Sequence, residues 1–104
     1  MIARRTLPQR RRSETFEISF GGIDRRYTIT VGYFDDGAIG EAFINGGKSG
    51  QAVEAIARDG AVILSLALQY GADLANIRSA ITRDEQGDPA SIVGVVVDRL
   101  TEMQ

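Results

Sequence analysis

The chain has 104 residues, 43% hydrophobic and 25% charged, with a formal net charge of −2. That is enough for one domain around one core. It has no cysteine and no histidine, which excludes disulfides, thiol and imidazole catalysis and the usual zinc sites.

No apolar run approaches the roughly 18 residues needed to cross a bilayer. The start, Met1-Ile2-Ala3-Arg4-Arg5, lacks the apolar segment of a secretory signal. A cytoplasmic location without membrane association is therefore expected. The small net charge hides an asymmetry. Five of the twelve basic residues, Arg4, Arg5, Arg10, Arg11 and Arg12, lie in the first twelve positions, and all fourteen acids lie beyond them. A basic arm on an acidic body suits nucleic acid or an acidic partner. The alternatives are a solubilising tail and an arm that folds back on its own body.

Residues 1–13, with Pro8 and the arginines, read as an extended arm, and 14–104 as a single domain. Thr15 to Phe20 alternates, with Phe16, Ile18 and Phe20 on one side, as in a half-buried strand. Gly21-Gly22-Ile23-Asp24 is a turn. Tyr27 to Phe34 alternates again, Tyr27, Ile29, Val31 and Tyr33 opposing Thr28 and Thr30. Asp36-Gly37 marks a hairpin, because glycine tolerates the positive φ of a tight turn. Ile39 to Ile44 is a third strand, with Glu41 expected on the exposed face. Strands joined by short turns imply an antiparallel meander.

A helix is expected from about Gly50 to Tyr70, N-capped by Ser49. It carries a polar stripe of Glu54, Arg58, Ser65 and Gln69. The remainder is so apolar that the helix should be covered on most sides. Gly60 is expected to pack against the sheet, Gly71 to end the helix, and Ser65 and Gln69 to make capping or helix–helix contacts. Asp73 can cap a short helix with Leu74, Ile77 and Ile81 on one face. Asp88-Pro89 reads as the cap and first residue of a last helix burying Ile92, Val93, Val96 and Leu100. The β-branched run from Ile92 to Val97 makes a strand the competing reading. The fold class is therefore α+β: a three-stranded antiparallel meander, then a long central helix and two shorter helices on one face.

Gly46-Gly47-Lys48-Ser49, at a strand-to-helix junction, offers backbone N–H groups, a lysine and a hydroxyl to a phosphate. A P-loop would need glycine where Ala42 stands, so anion binding rather than NTP hydrolysis is the reading. The alternative is a glycine-rich helix start with a solvated lysine. Asp35-Asp36-Gly37 lacks the ligand spacing of a calcium loop, and Ser65 has no histidine to activate it. No catalytic set, cofactor or metal site is expected.

Several blocks follow one another in a familiar order: Leu7-Pro8-Gln9-Arg10-Arg11, Val31-Gly32-Tyr33-Phe34-Asp35-Asp36-Gly37, Gly40-Glu41-Ala42-Phe43-Ile44, Lys48-Ser49-Gly50, Ser65-Leu66-Ala67-Leu68-Gln69-Tyr70-Gly71 and Ala90-Ser91-Ile92. The chain resembles the TSCPD domain, found near the C-terminus of adenosylcobalamin-dependent ribonucleotide reductases and as small stand-alone proteins. The resemblance runs from about Arg5 to Leu100, and the segment between Gly71 and Ser91 is shorter than in the reductase versions. It implies a non-catalytic accessory module that binds a reductase chain, a nucleotide or another anionic partner. Redox chemistry does not carry over, because the reductase form is associated with a cysteine-bearing tail. The alternatives are a nucleic-acid-binding module using the arginine arm, whose βββα order echoes part of a double-stranded-RNA-binding fold, and a regulatory homodimer. That dimer would form through an exposed sheet edge or the sheet face carrying Tyr27 and Tyr33.

Overall fold

The computed structural model describes residues 3–23, 25–46 and 51–104. Three strands form one antiparallel sheet in the order β1 (Ser13–Ser19), β2 (Arg26–Tyr33), β3 (Ile39–Gly46). Phe16 pairs with Ile29 across β1 and β2, and Ile29 with Ile44 across β2 and β3. One face therefore collects Ile18, Tyr27, Ile29, Val31 and Ile44, all buried. The other presents Thr15, Glu17 and Phe43, all exposed. The period of two sets this division. Gly37, at φ 88°, closes the hairpin between β2 and β3, and the Asp36 carboxylate accepts from Ala38 N at 2.9 Å.

Three helices follow: α1 (Gln51–Gln69), α2 (Leu74–Ala80) and α3 (Ile92–Met103). They cover the apolar face of the sheet, giving the α+β architecture expected from the sequence. Val96, Val97 and Leu100 of α3 are fully buried with Ile29, Val31 and Ile44. Gly71 N donates to Leu68 O and Ala72 N to Ala67 O, with Gly71 at φ 97°. These two bonds satisfy the last carbonyls of α1. Asp73 caps α2 by accepting from Ala75 N at 3.1 Å. Residues 92–97 are helix, not strand.

Three local expectations need correction. The cap of α3 is Ser91, whose Oγ accepts from Gly94 N at 3.0 Å. Asp88 is instead held in a tight loop, its N donating to the Asp84 carboxylate and its carbonyl accepting from Asp84 N. Gly60 does not face the sheet: a Cβ there would lie 2.6 Å from Val93 Cγ2 of α3, so the missing side chain lets two helices approach. Nor is α1 covered on most sides. Among its described side chains only Ala57, Ala61, Leu64, Leu68 and Gln69 are buried, while Ile56 and Ile63 are each 68% exposed.

The tyrosine face is also not available as a docking surface, since Tyr27 and Tyr33 are core residues. Among the described residues, no helix is long and apolar enough to cross a membrane.

Candidate functional site: the α1–β3 seam and its outer face

The C-terminal half of the polar stripe of α1, Ser65 and Gln69, turns onto β3, while Glu54 and Arg58 pair with each other at the surface. Ser65 Oγ accepts from Ala42 N at 2.9 Å and lies 3.1 Å from Ala42 O. It also reaches Ala61 O, one turn back on its own helix. Gln69 Nε2 donates to Gly40 O at 2.9 Å. Gly40 and Ala42 are two residues apart on edge strand β3, so their outward backbone groups point to the same side. An open edge is a template for unwanted pairing, and two side chains of α1 occupy it here. The expectation that Ser65 and Gln69 serve helix capping or helix–helix contact is thus replaced by a helix-to-strand clamp.

The arginine arm closes over the same seam. Arg5 N donates to Gln69 O at 2.7 Å, and Arg4 Nε to Gln69 Oε1 at 2.7 Å. Arg11 grips Glu41 with two nitrogens, at 2.6 and 3.3 Å, and donates to Pro8 O. The hydrogen bond to Glu41 holds Arg11 above the ordinary guanidinium range. Arg5 pairs with Asp36 at 2.9 Å and lies over the Phe34 ring at 3.8 Å. Hydrogen bonds from Ala38 N and then Arg5 hold Asp36 below the usual carboxylate range. Arg12 stacks on Tyr33 at 4.0 Å. Burial, then a hydrogen bond to Glu14, pushes the Tyr33 phenol up.

Glu41 does project from the outer sheet face, as expected, but the arm covers it to 9% exposure. Two glycines make room for this. A Cβ on Gly32 would lie 2.2 Å from Glu41 Oε2, and one on Gly40 would meet Phe34 and Leu7 at 2.7 and 2.8 Å. Four of the six blocks that carry the family resemblance therefore converge on one cluster. Leu7 to Arg11, Gly32 to Gly37, Gly40 to Ala42 and Ser65 to Gln69 meet where arm, strand and helix join.

Four of the five arm arginines, Arg4, Arg5, Arg11 and Arg12, are thus engaged with the body, and Arg10 is exposed. Of the expected phosphate loop, Gly46 ends β3 at φ 112°. Gly47, Lys48 and Ser49 lie outside the described residues. Among the described residues, no cluster of acids is arranged to hold a metal.

Beside the clamp runs a groove of about 310 Å³ between β3 and α1, with Phe43, Val62 and Leu66 along its apolar wall and Arg4 and Arg58 on its polar wall. Beyond it lies the outer face of α1, which sequence reasoning missed: Val53, Ile56, Val62, Ile63, Leu66 and Tyr70 are all exposed. The signal was present in the spacing. With Ser65 and Gln69 turned inward onto β3, the apolar residues opposite have nowhere to go but outward.

The TSCPD domain family model matches residues 2–104. The vitamin B12-dependent ribonucleotide reductase of Agrobacterium fabrum is 39% identical over 79 residues, 76% of this chain and 6% of that protein. That of Bradyrhizobium diazoefficiens is 35% identical over 82 residues, 79% of this chain and again 6% of the protein. The chain thus spans about 6% of the length of these curated relatives. No solved structure matches it. With a family match over nearly its whole length, and with four of the six motif blocks gathered at one arm–strand–helix junction, this chain belongs to the TSCPD domain family.

Proposed function

We propose that the chain is a non-catalytic accessory module, associated with ribonucleotide reductase, that works by docking to a protein through the outer face of α1. The observation that carries this reading is the row of exposed large apolar residues on a helix that turns Ser65 and Gln69 inward onto β3. Contiguous apolar surface of this kind marks interaction sites on soluble domains. The engaged arm supports a protein partner over nucleic acid, because arginines bonded to Gln69, Glu41, Asp36 and the Tyr33 ring must break those contacts to neutralise phosphates.

The test is titration calorimetry of the chain into the vitamin B12-dependent ribonucleotide reductase of its own host. Saturable binding, weakened at least tenfold by Ile56→Glu, is expected. No binding, or binding indifferent to Ile56→Glu, overturns the reading.

A second reading is a nucleotide or similar anion in the groove. Its volume of about 310 Å³ is at the lower end for a small-molecule site, and Arg4 and Arg58 flank an apolar wall. ATP and dATP should then bind, and Arg58→Ala or Arg4→Ala should weaken them. No heat with either nucleotide removes this reading.

A further inference from the structure

The apolar residues on the outer face of α1 are not scattered. Ile56, Ile63 and Tyr70 are seven apart, and Leu66 falls between the last two with spacings of three and four. A spacing of three and four is the seam of a helix that packs against another helix. The adjacent members of the row, Val53 and Val62, widen it on both sides. The single charge inside the row is Asp59. We infer that this seam is the two-fold interface of a homodimer, α1 packing antiparallel on α1 of a second copy. The inference goes beyond the docking reading above: it takes the same exposed face and names a second copy as its occupant.

Area, charge and symmetry select a second copy. The six apolar residues expose on the order of 600 Å², taking somewhat under 200 Å² for each fully exposed side chain. A standard interface hides about 800 Å² per partner, so the row with its rim, Phe43, Arg58 and Asp59, comes close to that size. A two-fold contact must be self-complementary. An axis at Ile63 sets each Ile63 on its counterpart and each Ile56 beside the second copy's Tyr70. The two Asp59 carboxylates then sit four residues to either side of the axis, about 12 Å apart along the helices at 1.5 Å per residue. That separation exceeds the Debye length of about 8 Å at physiological salt. A parallel pairing would instead bring them together. The edge of β3 does not compete for this role at Gly40 and Ala42, where Gln69 and Ser65 fill it.

Sedimentation velocity with the intact chain tests the inference. A reversible dimer, twice the 11.2 kDa chain mass, is expected at micromolar concentration, and Ile63→Glu should abolish it with the circular dichroism spectrum unchanged. Because the chain has no cysteine, Ile63→Cys supplies a second readout. Air oxidation should link two copies rapidly, whereas Ile23→Cys, on an exposed turn, should link slowly. A strict monomer, a dimer that survives Ile63→Glu, or equal cross-linking at both positions overturns the inference. A monomer that still binds the reductase through Ile56 removes the homodimer and leaves the docking role. A dimer that binds no reductase does the reverse.

Discussion

Ser65→Ala removes one oxygen from the surface of α1 and should cost far more than its size suggests. The hydroxyl accepts from the Ala42 N–H at 2.9 Å and shares its one proton between Ala42 O at 3.1 Å and Ala61 O at 2.8 Å, and Ala42 is fully buried. Each buried backbone group left without a partner costs about 1–3 kcal/mol. The neighbouring groove lets water reach part of the seam, which argues for the low end. Alanine recovers roughly 0.5 kcal/mol of helix propensity. The net loss is about 1.5 kcal/mol, or on the order of 10 °C in Tm for a domain of this size. Urea denaturation measures it, read from the midpoint with the slope held constant. Ser79→Ala is the control: its hydroxyl donates to Asn76 O on the exposed surface of α2, and its removal should change stability by less than about 0.5 kcal/mol. Equal effects of the two substitutions would refute the clamp.

Gly60→Ala should destabilise by about 1–3 kcal/mol through overpacking, although alanine is the better helix former, because its Cβ meets Val93 Cγ2 at 2.6 Å. Adding Val93→Ala to Gly60→Ala should recover part of the loss in the same denaturation assay. Gly32→Ala should push the Glu41 carboxylate off Arg11, and trypsin should then cut at Arg10 to Arg12 faster than in the wild type; Glu41→Ala in the same chain should cancel the difference due to Gly32. The Arg83 guanidinium, ahead of Arg78, holds the Asp98 carboxyl below its ordinary range. Its folded pKa is thus lower than its unfolded one, so its contribution is present above the unfolded value of about 3.9 and is lost as pH falls through the folded one. The acid limb of the stability curve should therefore be shallower in Asp98→Asn.

Much of the architecture is local and therefore readable. Alternation placed the three strands, Asp36-Gly37 the hairpin, Gly71 the end of α1 and Asp73 the start of α2. The last helix was harder because two capping residues compete there, and Asp88 is drawn into a loop by Asp84 while Ser91 takes the cap. The arm was legible as basic and extended, but not in its contacts. Arg4 finds Gln69 across 65 positions and Arg11 finds Glu41 across 30, and no local pattern encodes such pairs.

The outer face of α1 shows a different kind of limit. An apolar helix with a narrow polar stripe normally turns the stripe to water. Here Ser65 and Gln69 are needed by the edge of β3, so the helix is rotated the other way. The stripe was visible; which side it faces depends on the unsatisfied backbone of another element. Helix, arm and edge strand are therefore one unit, and recognition is left to the apolar side of the helix and to its junction with β3.

The most direct test of that arrangement places a photoreactive benzoylphenylalanine at position 63 in the full chain, expressed in its own host and illuminated there. A protein contact on the outer face of α1 predicts a cross-linked product with the mass of two chains or of one chain plus the reductase, and none of it when the label sits at position 23. No adduct at 63, or the same adducts from both positions, would contradict the claim that this face is where the protein is bound.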